Sequence, residues 1–313
     1  MKLLTHERQW KDGKTVVAFG MFDGVHQGHA CLMRKANELA FIHRLKSVVY
    51  TFSSHPMATF APDRVPPQLD TRSERIQSIA RMYVDVAVLR PFDREYAALS
   101  PEEFVRSFCE ALHPEHVVIG FNYSFGCKGA GKAEDMKRFG EKYGFETHVV
   151  SEVSVDGEAV SSTRIRSLLA KGDMQAAMDL LDRPYQICGV VMPGKRLGRT
   201  LDFPTANLAY PKGKVIPPSG VYAAKATVRG KTYSAAVNIG SHPTAPGGGE
   251  TIEANLIDYS GEECYGCHMR LKLYKRIREE KKFDSLTTLR EEVLKNREQV
   301  KEYFEEMNAP IVF

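Results

Sequence analysis

No stretch of this 313-residue chain stays apolar long enough to span a bilayer. Its opening residues, Met1-Lys2-Leu3-Leu4-Thr5-His6-Glu7-Arg8, break into charge too early for a secretory leader. A cytoplasmic protein with no membrane association is the expectation. A dominant charge sign is missing too. Lys and Arg number 43 and Asp and Glu 39, a formal balance of +4. That balance gives no reason to favour nucleic acid over any other anionic partner, so no nucleic-acid role is expected. Repeats and low-complexity tracts are absent. The six cysteines (31, 109, 127, 188, 264, 267) are scattered in a chain large enough to need no disulfide staples, and reduced thiols are expected. Cys264-Tyr265-Gly266-Cys267 lacks the further pair of ligands that zinc would want, and its glycine reads as a turn.

What is present divides into two textures. The first half alternates apolar runs with amphipathic ones. Thr15–Gly20, Ser47–Phe52, Val84–Leu89, His116–Ile119 and Glu146–Val150 read as strands, and Gly28–Leu45 and Gly131–Tyr143 as helices. Thr71-Arg72-Ser73-Glu74 is a capping box, and Ser100-Pro101-Glu102-Glu103 starts another helix. Apolar strands alternating with helices predict a parallel sheet covered on both faces. After Arg183-Pro184 come short strand-like runs broken by Gly and Pro, with a hairpin at Val228-Arg229-Gly230-Lys231. This pattern predicts an antiparallel barrel or sandwich. A last helix places Leu286, Leu289, Val293, Val300 and Phe304 on one face. Two domains follow, 1–183 and 184–313; as for association, a monomer or weak homo-oligomer is expected.

The stretch Gly20-Met21-Phe22-Asp23-Gly24-Val25-His26-Gln27-Gly28-His29 joins the first of these strands to its helix through small residues. Backbone N–H groups and a helix N-terminus then face one spot, which suits an anion. Two imidazoles at its mouth would add donors and some positive charge, and the site reads as one that handles ATP. Paired surface histidines or half a metal site are the alternatives. Ser161-Ser162-Thr163-Arg164-Ile165-Arg166 opens a later helix; helix capping explains the hydroxyls, whereas the arginines suit phosphate oxygens. Gly126-Cys127-Lys128-Gly129-Ala130-Gly131-Lys132 has P-loop spacing, but Ala133 stands where Mg²⁺ needs Ser or Thr. A flexible loop beside a nucleotide is the reading there, with a strand running through Asn122–Phe125 before it.

In the second half, the basic glycine loop Gly194-Lys195-Arg196-Leu197-Gly198-Arg199 precedes Phe203-Pro204-Thr205-Ala206-Asn207. Thr205 and Asn207 point to one side of an extended segment and offer oxygen ligands for Mg²⁺. An ordinary turn is the alternative. Glu253 faces away from Ile252 and Ala254; inside a small barrel one carboxylate would be costly unless used, and on a solvent face it would need no explanation.

The chain resembles the prokaryotic bifunctional riboflavin kinase/FMN adenylyltransferase (FAD synthetase) family over essentially its whole length. The carrying motifs are Gly20–His29, Gly120-Phe121-Asn122-Tyr123-Ser124-Phe125-Gly126, Ser161–Arg166, Pro204–Asn207, Asn238–Thr244 and Glu253. The resemblance implies a Rossmann-like nucleotidyltransferase domain followed by a riboflavin kinase barrel, both active. It implies ATP as co-substrate, Mg²⁺ as cofactor, and riboflavin, FMN and FAD as substrates and products. In the adenylyltransferase half it assigns catalysis to His26 and His29. ATP contacts there fall to Gly20, Phe22, Asp23, Gly24, Asn122, Ser162, Thr163 and Arg166. In the kinase half it implies Glu253 as the catalytic base, Gly194 and Arg199 at the phosphates, and Thr205 and Asn207 as Mg²⁺ and phosphate ligands. Four positions depart from the family pattern: Asp202 for Gly, His242 for Arg, Ala245 for Phe and Asn255 for His.

Two other readings compete. One is an adenylyltransferase for a different phosphorylated cofactor precursor, carrying the barrel as an accessory module. The other is a non-enzymatic flavin or RNA binder using the basic run Lys272-Leu273-Tyr274-Lys275-Arg276-Ile277-Arg278, although Glu279 and Glu280 adjoin that run.

Overall fold

The computed structural model describes residues 1–193, 205–242, 249–259 and 263–308. The chain forms two compact units, Met1–Ser162 and Thr163–Phe313.

In the first unit, β1 (Lys2–Leu4), β2 (Thr15–Phe19), β3 (Lys46–Phe52), β4 (Val86–Arg90), β5 (Pro114–Gly120) and β6 (Glu146–Val150) pair in parallel, in the order β1-β4-β3-β2-β5-β6. The intervening helices are α1 (Gln27–His43), α2 (Arg72–Ala80), α3 (Arg94–Ala98), α4 (Pro101–Leu112) and α5 (Ala133–Tyr143). Alternation along the strands divides the core. Val17, Phe19, Val48, Tyr50, Val117 and Ile119 face the side packed by α4 and α5. Val16, Ala18, Val49, Ala87 and Val118 face the side packed by α1. Every residue of β2 is buried, as expected of a strand covered on both faces. The expected capping box of Thr71 with Glu74 forms, and the helix start expected at Ser100 is a second one, Ser100 with Glu103. The short edge strand β1 carries too few residues to announce itself by pattern. A two-stranded ribbon, β7 (Ser154–Val155) and β8 (Glu158–Ala159), closes the unit.

The second unit begins with α6 (Ser162–Lys171, its first residue still in the first unit) and α7 (Met174–Leu181). Six strands follow: β9 (Tyr185–Met192), β10 (Thr205–Ala209), β11 (Gly220–Val228), β12 (Lys231–His242), β13 (Gly249–Leu256) and β14 (His268–Glu279). They close into an antiparallel barrel in the order β10-β13-β12-β11-β14-β9. The hairpin at Arg229-Gly230 has both residues at positive φ, 49° and 76°, which matches the twist of the flanking strands. Tyr222, Ala224, Val237 and Ile239 fill the interior. The last helix, α8 (Leu286–Asn308), lies on the outer face, where Val300 and Phe304 pack with Val221, Ala223 and Ala236. Only the C-terminal part of its expected apolar face is used, and Leu286 is exposed.

One expectation is corrected. The strand expected through Asn122–Phe125 stops at Gly120, where a turn closed by Tyr123 N–H to the Gly120 carbonyl follows. The basic run from Lys272 belongs to β14. Lys272 and Leu273 pair with both β11 and β9, and Lys275, Arg276 and Arg278 pair with β11 alone.

Candidate active sites

The carboxyl ends of β2, β3, β5 and β6 open onto a cleft of about 610 Å³, beside the point where the strand order reverses between β2 and β5. Gly20, His26 and His29 line one side, and Asn122, Tyr123 and Ser161 another. Phe52, Phe92, Tyr96 and Phe121 also border it and give it a largely aromatic wall.

His26 is the N-cap of α1: its Nδ1 accepts the backbone N–H of His29 at 3.4 Å. An accepting Nδ1 leaves the proton of the neutral ring on Nε2. The His29 ring stacks on His26 with centroids 3.7 Å apart and meets Phe22 edge-on at 5.2 Å. His29 Nδ1 is buried without a hydrogen-bond partner among the described residues. Burial lowers the pKa of His26 to about 4, and burial followed by the neighbouring His26 ring lowers that of His29 well below the usual value. The expected positive charge is therefore absent. Both rings are neutral at pH 7, because the surrounding protein disfavours an imidazolium. The helix dipole supplies the favourable field instead, and no acidic residue in the first turn of α1 offsets it.

The glycines are explained by close approach. A Cβ on Gly20 would lie 2.9 Å from the Phe22 ring, and one on Gly28 3.2 Å from the His26 ring. Phe22 and Gly24 both sit at positive φ (52° and 84°) and make the tight loop, but neither lines the cleft. Asp23 is not aimed at a ligand. Its carboxylate accepts the backbone N–H groups of Leu69 and Asp70 at 3.1 and 3.0 Å, which fastens the loop to the segment before α2. Ser162 Oγ donates to the Asp23 carbonyl at 2.8 Å, so this hydroxyl too holds the loop. Thr163 is exposed and Arg166 half-buried further along α6. Asn122 borders the cleft from the turn after β5.

The P-loop-like segment flanks the cleft but is pinned rather than flexible. Phe125 and Gly131 exchange backbone hydrogen bonds at 3.0 and 2.9 Å, and a Cβ on Gly126 would meet Pro101 at 2.7 Å. Lys132 is the N-cap residue of α5, its backbone N–H donating to Asp135. The sequence pattern gave no sign of Arg75. This buried guanidinium donates to the carbonyls of Met21, Phe52 and Ser53 and so ties together the ends of β2 and β3.

On the barrel, Thr205 and Asn207 alternate with the buried Ala206 and Leu208 and so face outward. Asn207 is the cross-strand partner of Glu253, and Glu253 on its other side is paired with Asn238. Glu253 thus lies on the outer face, half-buried, and not in the barrel interior. Thr205 is the cross-strand partner of Asn255, whose Oδ1 accepts from Arg297 of α8 at 2.8 Å. One of the four departures from the family pattern is thereby an anchor for the last helix. Gly194, Arg199, Asp202 and Ala245 lie outside the described residues, as does the side chain of His242.

The FAD synthetase family model matches residues 8–164, and the riboflavin kinase model residues 181–304. The bifunctional riboflavin kinase/FMN adenylyltransferase of Bacillus subtilis (strain 168) is 35% identical over 94% of this chain and 94% of its own. That of Escherichia coli (strain K12) is 33% identical over 92% of each. The chain belongs to the bifunctional riboflavin kinase/FMN adenylyltransferase family. The family order, FAD synthetase first and flavokinase second, is that of the parallel-sheet unit and the barrel. A crystal structure titled as a macrolide-efflux protein from Streptococcus pneumoniae superposes with a TM-score of 0.88, at 30% identity, over 96% of this chain and 98% of that one. No described helix of the present chain is long and apolar enough to cross a membrane.

Proposed function

We propose that residues 1–183 transfer the adenylyl group of ATP to FMN, releasing pyrophosphate, and that residues 184–313 phosphorylate riboflavin. The observation that carries the first half is the stacked His26–His29 pair at the N-terminus of α1, facing a cleft large enough for a nucleotide. An FMN phosphate oxygen attacks the α-phosphorus of ATP, and the bond to the β-phosphate oxygen breaks. The nucleophile is already an anion and needs no base. His26 Nε2–H and His29 then donate to phosphate oxygens as charge shifts toward the departing pyrophosphate, and the α1 dipole supports that charge. Thr163 and Arg166 fit phosphate contacts by residue type. Asp23 and Ser162 act by holding the loop.

In the barrel, Glu253 takes the proton of the ribityl 5′-hydroxyl while that oxygen bonds the γ-phosphorus and ADP leaves. Thr205, Asn207, Glu253 and Asn238 offer hard oxygen donors on one face, a set that suits Mg²⁺. The cation, when bound, spreads the charge on the phosphate oxygens. Gly194 and Arg199 belong to this site by motif. Cytoplasmic location, monomeric or weakly associated chains and the absence of nucleic-acid partners complete the reading.

Purified protein incubated with riboflavin, ATP and Mg²⁺, with flavins separated over time, tests it. FMN appears first and FAD follows. No FMN from riboflavin, or no FAD from supplied FMN, overturns the corresponding half.

A further inference from the structure

At the opposite end of the parallel sheet from the cleft, three side chains that the two reactions do not use converge. His116 lies near the amino end of β5, Glu146 is the first residue of β6 and His148 its third. The parallel register pairs His116 with Glu146 and Val118 with His148, and the two-residue spacing puts Glu146 and His148 on one face of β6. Val118 packs on the α1 side, so His116, two residues before it, faces that side as well. His43, in the last turn of α1, lies against it there, with ring centroids 4.4 Å apart.

The distances suit a metal. His116 Nδ1 and His148 Nε2 are 3.1 Å apart. Glu146 Oε2 is 3.5 Å from His116 Nδ1, and Glu146 Oε1 is 3.7 Å from His148 Nε2. Ligands about 2.0–2.1 Å from a tetrahedral zinc stand about 3.3–3.4 Å from one another. The three gaps bracket that edge length, so a cation can enter with small rotations about the side-chain bonds. His116 is nine-tenths buried, which fixes one ligand in place, while Glu146 is two-thirds exposed and leaves an entry path. Among the described residues no other group of three His, Cys, Asp or Glu side chains has ligand atoms this close.

We propose that His116, Glu146 and His148 form a binding site for a borderline divalent cation, zinc foremost, that fastens the edge strand β6 to β5. Two imidazoles and one carboxylate favour zinc, cobalt or nickel over Mg²⁺, which prefers an all-oxygen shell. Water would fill the fourth position. The site is separate from the cleft: His116 lies four residues, about 13 Å, down β5 from the rim at Gly120, and His148 two residues, about 7 Å, down β6 from Val150.

The test uses the full chain without a histidine tag, stripped with chelator and titrated with Zn²⁺ in millimolar Mg²⁺ by calorimetry. Co²⁺ absorption is recorded in parallel. One equivalent of Zn²⁺ binds the wild type, and Glu146→Gln and His148→Ala each weaken that binding by at least about 100-fold. Co²⁺ gives visible bands of a four-coordinate nitrogen–oxygen site, and Zn²⁺ slows amide exchange in β6 of the wild type alone. Glu146→Gln changes an exposed side chain and leaves FAD formation in metal-stripped buffer containing Mg²⁺ unchanged, so a folding defect cannot imitate the result. Absence of stoichiometric Zn²⁺ overturns the proposal and leaves the trio as hydrogen-bonded polar residues. So does binding that survives both substitutions, or a sulfur-to-cobalt charge-transfer band, which would point to Cys264 and Cys267.

Discussion

Ser162 donates its hydroxyl proton to the carbonyl oxygen of Asp23 at 2.8 Å, joining two motifs 139 residues apart. One side chain at the first residue of α6 thereby sets the loop that presents His26 and His29. The same aspartate is held from its other end by Leu69 N–H and Asp70 N–H, so the loop is gripped on both sides.

Ser162→Ala removes one of these grips. A single neutral hydrogen bond contributes about 0.5–1.5 kcal/mol, so FAD formation from supplied FMN should fall by up to about 10-fold. FMN formation from riboflavin should not change. Steady-state rates of both reactions on the same preparation check this. An equal fall in both would mean that the bond supports the whole chain rather than the loop.

His29 bears on the chemistry itself. Its Nδ1 has no partner among the described residues, and its ring borders the cleft. His29→Ala should lower FAD formation about 10²–10³-fold, the usual cost of losing one donor to developing charge. FMN formation should persist. Separate assays with riboflavin and with FMN distinguish this from loss of both activities, which would count against two independent sites.

Much of the fold was legible because its strands are either buried on both faces or alternate cleanly. Val16, Val17 and Ala18 form an unbroken apolar run, and the capping boxes at Thr71 and Ser100 mark helix starts by local hydrogen-bonding chemistry alone. The positions of His26 and His29 followed from the strand–glycine–helix pattern. Their charge did not, because it depends on what packs around the rings. Asp23 misled for a similar reason: a carboxylate in a phosphate-binding motif looks like a ligand, and only the distant amides of Leu69 and Asp70 reveal a clamp. Arg75 and the His116–Glu146–His148 trio are assembled across strands and helices and carry no local signature.

The buried histidines also give stability a pH dependence. In the unfolded chain His26 takes up a proton near pH 6.5, whereas burial lowers its folded pKa to about 4. Between those values the unfolded state binds a proton that the folded state refuses. Stability is therefore complete above pH 6.5 and falls as the pH drops toward 4, by up to about 3.4 kcal/mol for this one group. His26→Asn keeps a good helix cap and removes the titration. Urea midpoints at pH 5 and pH 7.5 should differ less in the variant than in the wild type. An undiminished difference would show that His26 does not carry this dependence.

Glu253 offers the sharpest test of the barrel. It stands between Asn207 and Asn238 on the outer face, half-buried, where a carboxylate is easily tolerated and needs no catalytic use to persist. Glu253→Gln keeps the size and much of the hydrogen-bonding capacity while removing the basic oxygen. If the carboxylate accepts the ribityl hydroxyl proton, FMN formation should fall by about 10²–10⁴-fold with little change in unfolding midpoint. FAD formation from supplied FMN should remain, which certifies a folded protein. If FMN formation survives, the proton leaves by another route and the Thr205–Asn207–Glu253 face serves only to bind. A fall in stability matching the fall in rate would instead make Glu253 a strut between β10 and β12, with the acceptor still to be found on that face.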